Sequence, residues 1–364
     1  MPLQPANTLP IVMDVDVAIL GAGLAAGAAI EPLRAAGLTL AVLDKSRGVG
    51  GRTATRRIAG IPVDHGAQFF TVRSADFAET VRRWISEGTC FEWCSGFHRF
   101  EDGAVSSPRD DEIHSRYACP RGMTSLAKDC FRSVNVLHDH LVTSIRMDAN
   151  DFLTECENGQ IIRSKAILST LPFPQGQKLL GSFFDEPNRF ALEFIRVDPC
   201  LAAIVELKGA SPEWKGIQTS QDDVLTWLGA DFSKRTPAPL RRFVVLHGSS
   251  AFSQEHLEGD LSAAGRLMLE HAGRICPTLR EADLVQVHRW RYAKVSQPLS
   301  DIPYWRFLNS APLYMAGDAF GRGNVESAWL SGATAGVQLA RELQSAGAVR
   351  LGTTRRGSDS PSTQ

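Results

Sequence analysis

Apolar residues in this chain fall into short runs whose spacing alternates between strand-like and helix-like. Residues 15–20, VDVAIL, are a β-branched run suited to a buried parallel strand. A glycine turn follows at once, Gly21-Ala22-Gly23-Leu24-Ala25-Ala26, and then a helix to about Ala36, stopped by Gly37. Residues 38–43, LTLAVL, give a second strand that ends on Asp44. Residues 161–171, IIRSKAILSTL, read as a strand returning to the same sheet, and Pro172 and Pro174 break the pattern after it. Further on, residues 201–207, 224–230 and 242–248 look like strands of another sheet. Residues 260–275 look helical, with Leu261, Leu267, Leu269 and Ala272 roughly in phase. Near the other end, Leu313-Tyr314-Met315 is an apolar strand closed by Gly317-Asp318, and a helix begins at about Val325.

This alternation predicts an α/β fold: a Rossmann-type cofactor domain with an inserted α+β substrate domain. The cofactor domain is expected to be discontinuous, over 14–75, 119–173 and 283–345, with 76–118 and 174–282 forming the substrate cap. Residues 1–13 read as a loose leader, and the polar tail 351–364 reads as disordered.

A chain of 364 residues is long enough for two cores. A formal net charge of −1 leaves no basic field for nucleic acid or an anionic membrane. The longest apolar run, 17–30, is too short and too rich in glycine to span a bilayer, and no basic residue precedes it as in a signal peptide. The odd count of 7 cysteines, with no C-x-x-C pair, points to free thiols in a reducing cytoplasm. No metal-ligand spacing stands out.

The first strand–turn–helix–strand unit carries recognisable chemistry. Gly21 permits the tight turn, Gly23 lets a pyrophosphate approach the backbone, and Ala26 still allows close helix–strand packing. Amides at the helix start, around Leu24 and Ala25, attract phosphate charge. Asp44 lies 23 positions after Gly21, where a carboxylate accepts hydrogen bonds from an adenosine ribose. This unit alone leaves NAD and FAD open. The next segment selects FAD. Lys45-Ser46-Arg47-Gly48-Val49-Gly50-Gly51-Arg52 sets glycine amides and cations beside a diphosphate, a second loop that NAD-dependent dehydrogenases do not need. The apolar strand closed by Gly317-Asp318 resembles the second flavin motif of the glutathione-reductase and amine-oxidase superfamily, which implies a hydrogen bond from the ribityl chain to Asp318, and the helix start at Val325 would aim its amides at the flavin pyrimidine edge.

The stretches KSRGVGGRTATRR (45–57), DHGAQFFTVR (64–73), FVVLHGSSAFSQEHL (243–257), VHRWRYA (287–293) and GDAFGRGNVESAWLSG (317–332) closely resemble the bacterial renalase-like flavoproteins. The resemblance implies a two-domain fold of p-hydroxybenzoate hydroxylase and amine oxidase type with non-covalent FAD. Carried onto this sequence, the FAD contacts involve Gly21, Gly23, Leu24, Ala25, Asp44, Lys45, Gly51, Arg52, the Gln68–Phe69 region, Val142, Asp318 and Val325. Ala319, Phe320 and Ser327 depart from the family pattern beside the flavin.

His288, Trp290 and Tyr292 alternate along one strand and so share a face, expected to wall a flat substrate pocket. His247, in phase with Phe243 and Val245, is a further candidate, and Gln68 is placed near the isoalloxazine. Asp64 and His65 are expected to brace Arg52 or its loop. Arg289 and Arg291 point the other way. The resemblance implies an oxidase that takes a hydride from dihydronicotinamide isomers reduced at ring position 2 or 6, with oxygen as acceptor. Two alternatives stay open: an amine oxidase or desaturase, for which no paired aromatic cage is evident, and a flavin-binding sensor without turnover.

Overall fold

A computed structural model describes residues 12–354 apart from residue 221. An eight-stranded sheet forms the first unit. At its centre, Val12–Leu20 lies parallel between Leu40–Leu43 and Ile161–Ser169. The outer edge of Ile161–Ser169 is shared. Its first half pairs antiparallel with Asp151–Cys156, and its last residues pair parallel with Leu313–Met315. Register puts Leu20 opposite both Leu43 and Ser169, and Ser169 opposite Met315. The segments following these strands therefore leave the sheet at one carboxyl edge, the place where open α/β sheets bind ligands.

Helix Leu24–Ala35 covers one face and buries Ala26, Ile30 and Leu33 against Val17, Ile19 and Val42. Helix Val325–Thr354 crosses it at very close range. A Cβ on Gly332 would overlap the Ala25 backbone, and one on Gly336 would lie 2.9 Å from Ala29. This intimacy fixes where the last helix begins. On the opposite face, helices Phe173–Leu179 and Glu186–Leu192 bury Phe173 and Leu192 with Phe152, Phe184 and Phe307.

The second unit is a seven-stranded sheet. Its order runs Asp283–Gln297, Arg196–Glu206, Phe243–Gly248, Leu225–Gly229, Gly216–Thr219, His98–Glu101 and Ala104–Ser106. Helix Leu261–Ile275 packs Ala264, Met268 and Ala272 on Leu201, Ala203, Val244 and Leu246. The other face turns toward the first unit, and Ile204, Phe243 and Val245 meet Val63 there. Val63 belongs to a hairpin, Thr55–Ile58 and Ile61–Asp64, that joins the two units.

Several expectations need correction. Residues 283–297 lie in the second sheet, not the cofactor domain, because their long strand pairs along its length with Arg196–Glu206. Residues 173–195 belong with the first core instead of the cap. Helix Ala75–Ser86 also packs there, through Phe77, Val81 and Trp84 on Leu24 and Leu126. The final helix extends to Thr354, and 355–364 of the tail expected to be disordered fall outside the described residues. Leu267 is 41% exposed, because Met268 and Ala264 take the inner face of its helix. All seven cysteines are free. Among the described residues no helix is long and apolar enough to cross a membrane.

Candidate flavin and substrate site

The carboxyl edge of the first sheet is built by backbone amides and two carboxylates. Gly21 turns the chain with φ of 92°, and its N–H donates to the Leu43 carbonyl at 2.8 Å. Asp44 accepts from the Ala22 amide and the Ser46 amide, both at 2.7 Å. The His140 amide donates to the Asp44 carbonyl at 2.9 Å, which brings the start of strand Val142–Asp148, and so Val142, to this end. Gly50, at φ of 117°, donates to the Ala22 carbonyl at 2.8 Å, so the second glycine loop lies over the first. Leu24 and Ala25 are buried in the first helical turn, while Lys45 is exposed.

Arg52 ties the second loop to the far strand. Its guanidinium forks onto Asp318 at 2.6 and 2.8 Å, and also reaches the Ala293 carbonyl at 3.4 Å. Ser331 from the last helix accepts the Gly317 amide at 2.8 Å, and Asn324 caps that helix by accepting from Ser327 at 2.8 Å, next to Val325. Ser327 also accepts the Arg322 amide at 2.8 Å, and Ala319 and Phe320 are buried in the first core. The departures at 319, 320 and 327 are thus part of how the turn holds together.

The cradle fits a dinucleotide diphosphate. A Cβ on Gly23, Gly48 or Gly317 would meet no atom within 4 Å, whereas Gly27, Gly66 and Gly332 have no such room. Open backbone at a helix start, beside a guanidinium, is what close approach of a diphosphate needs.

The DHGAQFF segment braces the joint between the two units. Its Gln68 amide is consumed within the protein. Nε2 donates to the Asp64 carbonyl and, at 3.2 Å, to the Gly66 carbonyl, while Oε1 accepts from Lys234 at 3.2 Å. Gln68 therefore braces the loop. Phe69 points into the cap, against Phe97 and Trp227 at centroid distances of 4.6 and 5.6 Å. Asp64 braces the loop as expected, though through cap cations and not Arg52. It takes Arg235 at 2.9 Å and Lys234 at 3.4 Å, with Thr55 and the Met123 amide on its other oxygen. Burial opposes its ionisation, but the charges of Lys234 and Arg235 outweigh that and hold its pKa below the usual carboxylate range. Asp231, Lys234 and Arg235 went unnoticed in the sequence. The only available signal was a lysine–arginine pair set three and four positions after an acid at the end of an apolar strand.

The residues expected to wall a substrate pocket lie on the face of the second sheet that turns toward the first unit. Cross-strand register aligns Trp227, His247, Ala202 and His288 in one row. Trp290 follows on the same strand face, as predicted, and its indole donates to the His65 carbonyl at 2.9 Å. The rings of His65, His288 and Trp290 touch one another at centroid distances of 4.4 to 5.3 Å. Tyr292 is half-buried farther along that strand. On the reverse side Arg291 pairs with Glu258, as its phase required. Among the described residues three buried polar atoms in this region have no hydrogen-bond partner: His65 Nδ1, His247 Nε2 and Trp227 Nε1.

Burial drives the histidines neutral. The His65 pKa is pushed down to about 3 by burial, with His288 and Arg56 adding to it, and that of His247 to about 4 by burial and Lys234. The His288 pKa is lowered by burial and Arg56. The unfolded chain takes up these protons near pH 6.5, so between there and pH 4 it binds more protons than the folded state. Stability from His65 and His247 is complete above pH 6.5 and is lost on acidification, with a ceiling of about 1.4 kcal/mol per pH unit for each group. Urea unfolding at steps from pH 7.5 to 4.5 should show this slope, and His65→Leu should reduce it. An unchanged slope in that variant would remove His65 from the account.

Comparison with known proteins agrees with this architecture. The profile of the NAD(P)-binding Rossmann-like domain matches residues 19–86. Mouse (Mus musculus) renalase is 24% identical over 326 residues, covering 85% of this chain and 94% of that protein. A putative protoporphyrinogen oxidase from Exiguobacterium sp. 255-15 shares the fold with a TM-score of 0.69 at 13% identity, over 90% of this chain and 99% of that one. Cyclohexylamine oxidase from Brevibacterium oxydans IH-35A shares it with a TM-score of 0.66 at 13% identity, over 91% of this chain and 100% of that one. Fold and glycine turn define the class: a two-unit protein with a Rossmann-like dinucleotide-binding domain, sharing the overall fold of these oxidases. Within that fold the chain is similar to renalase over most of its length.

Proposed function

We propose that this protein is an oxidase that takes a hydride from a dihydronicotinamide isomer, reduced at ring position 2 or 6, and returns NAD(P)⁺. In balance, dihydronicotinamide, a proton and O₂ give the nicotinamide cation and hydrogen peroxide. FAD, when bound, supplies the two-electron acceptor that oxygen can reoxidise. Gly21, Gly23, Leu24 and Ala25 would present amides to its diphosphate with Gly51 and Arg52, Asp44 and Lys45 would flank its adenosine with Val142, and Asp318 and Val325 would meet its ribityl and ring end.

The observation that carries the substrate class is the neutral polar face. Oxidation of a dihydropyridine needs no strong base, because the ring carbon gives up H⁻ without a separate proton. It needs a flat wall and handles for a carboxamide. Trp290 and His288 supply the wall. His247, His65 and Trp227 carry the buried polar atoms that lack partners, a costly state in which a substrate amide would find both donors and acceptors. Tyr292 lies along the same strand for the outer end of the ring.

An ammonium substrate fits this face less well. The Asp64 carboxylate, next to His65, is already committed to Lys234 and Arg235. The Phe69 and Phe97 rings carry the Arg116 guanidinium at 5.9 and 5.4 Å, where a substrate cation would need to sit. Anaerobic mixing of the holoprotein with a panel of dihydronicotinamides and amines tests the proposal. Rapid bleaching by the 2- or 6-dihydro isomers is the expected result. Bleaching by primary amines alone would establish amine oxidation instead, and no bleaching by either would leave a flavin-binding protein without turnover on these substrates.

A further inference from the structure

Lys234 and its neighbours form a completely enclosed ion cluster between the two units. Lys234 and Asp64 are each 0% exposed and Asp231 is 1% exposed. The ammonium has three N–H groups and three acceptors: Asp231 at 3.1 Å, Gln68 Oε1 at 3.2 Å and Asp64 at 3.4 Å. Arg235 joins Asp64 and Asp231 and donates to the Cys119 carbonyl at 2.8 Å. Charges in the cluster cancel in pairs, and burying such a set is rarely the most stable solution available. Its geometry therefore calls for another reason.

That reason lies in what Gln68 controls. An ammonium can only donate, so the Gln68 oxygen must face Lys234, and the amide nitrogen is then directed onto the Asp64 and Gly66 carbonyls. The loop held this way touches both functional regions. Ala67 donates to the Arg52 carbonyl at 2.9 Å, and His65 accepts the Trp290 indole at 2.9 Å. Gly66 passes so close that any side chain there would overlap the Arg52 carbonyl and lie 3.3 Å from Trp290.

We propose that Lys234 is a positioning residue. Acting through the Gln68 amide, it fixes loop 64–68 and thereby sets both the Arg52 backbone in the cofactor cradle and the Trp290 indole in the substrate wall. The cofactor half rests on the FAD assignment above; the loop half does not.

The test separates positioning from charge balance. Lys234→Met alone leaves a buried negative excess and should lower the thermal midpoint. The double variant Asp231→Asn with Lys234→Met rebalances the charge and should recover most of that loss. Both variants should nevertheless exchange the 64–68 amides faster in the apoprotein, by about tenfold or more, the size of one hydrogen bond to a charged group. Both holoproteins should also release FAD more readily by a similar factor, and Gln68→Leu should reproduce these effects without adding to them in the double variant. If the charge-balanced variant restores slow exchange together with the midpoint, Lys234 merely balances charge and the proposal falls. If Lys234→Met does not fold, the double variant and Gln68→Leu still decide. Slow FAD release with fast loop exchange would refute the link to the cradle, and the exchange result stands even if the bound cofactor were not FAD.

Discussion

Gly23→Val is expected to give a folded but colourless protein. Gly23 sits at φ −84° and ψ −176°, an extended conformation open to any residue, so valine introduces no backbone strain. A Cβ there meets nothing within 4 Å, and the fold should tolerate it. The space it fills is the one a diphosphate needs in order to reach the amides at the start of helix Leu24–Ala35. Loss of that approach should cost FAD affinity by at least about 100-fold, or about 2.7 kcal/mol. The visible spectrum of the purified variant reads the flavin content, and thermal melts of both apoproteins read the fold. Wild-type flavin content in the variant would place the cofactor elsewhere. A collapsed apoprotein would mean the open space at Gly23 serves packing instead.

The elements around Gly23 were readable in the sequence because their determinants are local. The strand, turn, helix, second strand and Asp44 occupy about thirty consecutive residues, each with a separate steric or electrostatic requirement. Asp318 was also readable, since an apolar strand closed by Gly-Asp is a short pattern. The phase of His288, Trp290 and Tyr292 followed from strand alternation alone. Alternation does not say which sheet a strand joins, however, and so Asp283–Gln297 was assigned to the wrong unit. The contacts of Gln68 and Phe69 within the protein were not legible for a related reason. A motif shows that a loop is constrained without showing which of its side chains face inward. The ion cluster was the least legible feature. Asp64 meets Lys234 and Arg235 across 170 and 171 positions, and no periodicity links charges at that separation.

The same cluster makes Asp64 the position where a single substitution should do most harm to the fold. Asp64→Leu removes one carboxylate and leaves Lys234 and Arg235 with Asp231 as their remaining acid, all of them buried. Breaking a buried pair from one side typically costs about 3–5 kcal/mol, because the surviving charge cannot recover its hydration. Thr55 and the Met123 amide lose their acceptor as well. An exposed pair such as Arg274 with Glu270 should contribute only about 0.3–0.5 kcal/mol, so Arg274→Gln serves as a scale. Asp64→Asn keeps an oxygen for Thr55 and Met123 while removing the charge, and should fall between the two. Urea unfolding of the three variants orders them directly. A cost for Asp64→Leu as small as that of the surface variant would show that water reaches the cluster, and the rigid bridge from the cap to Arg52 and Trp290 would then lose its physical basis.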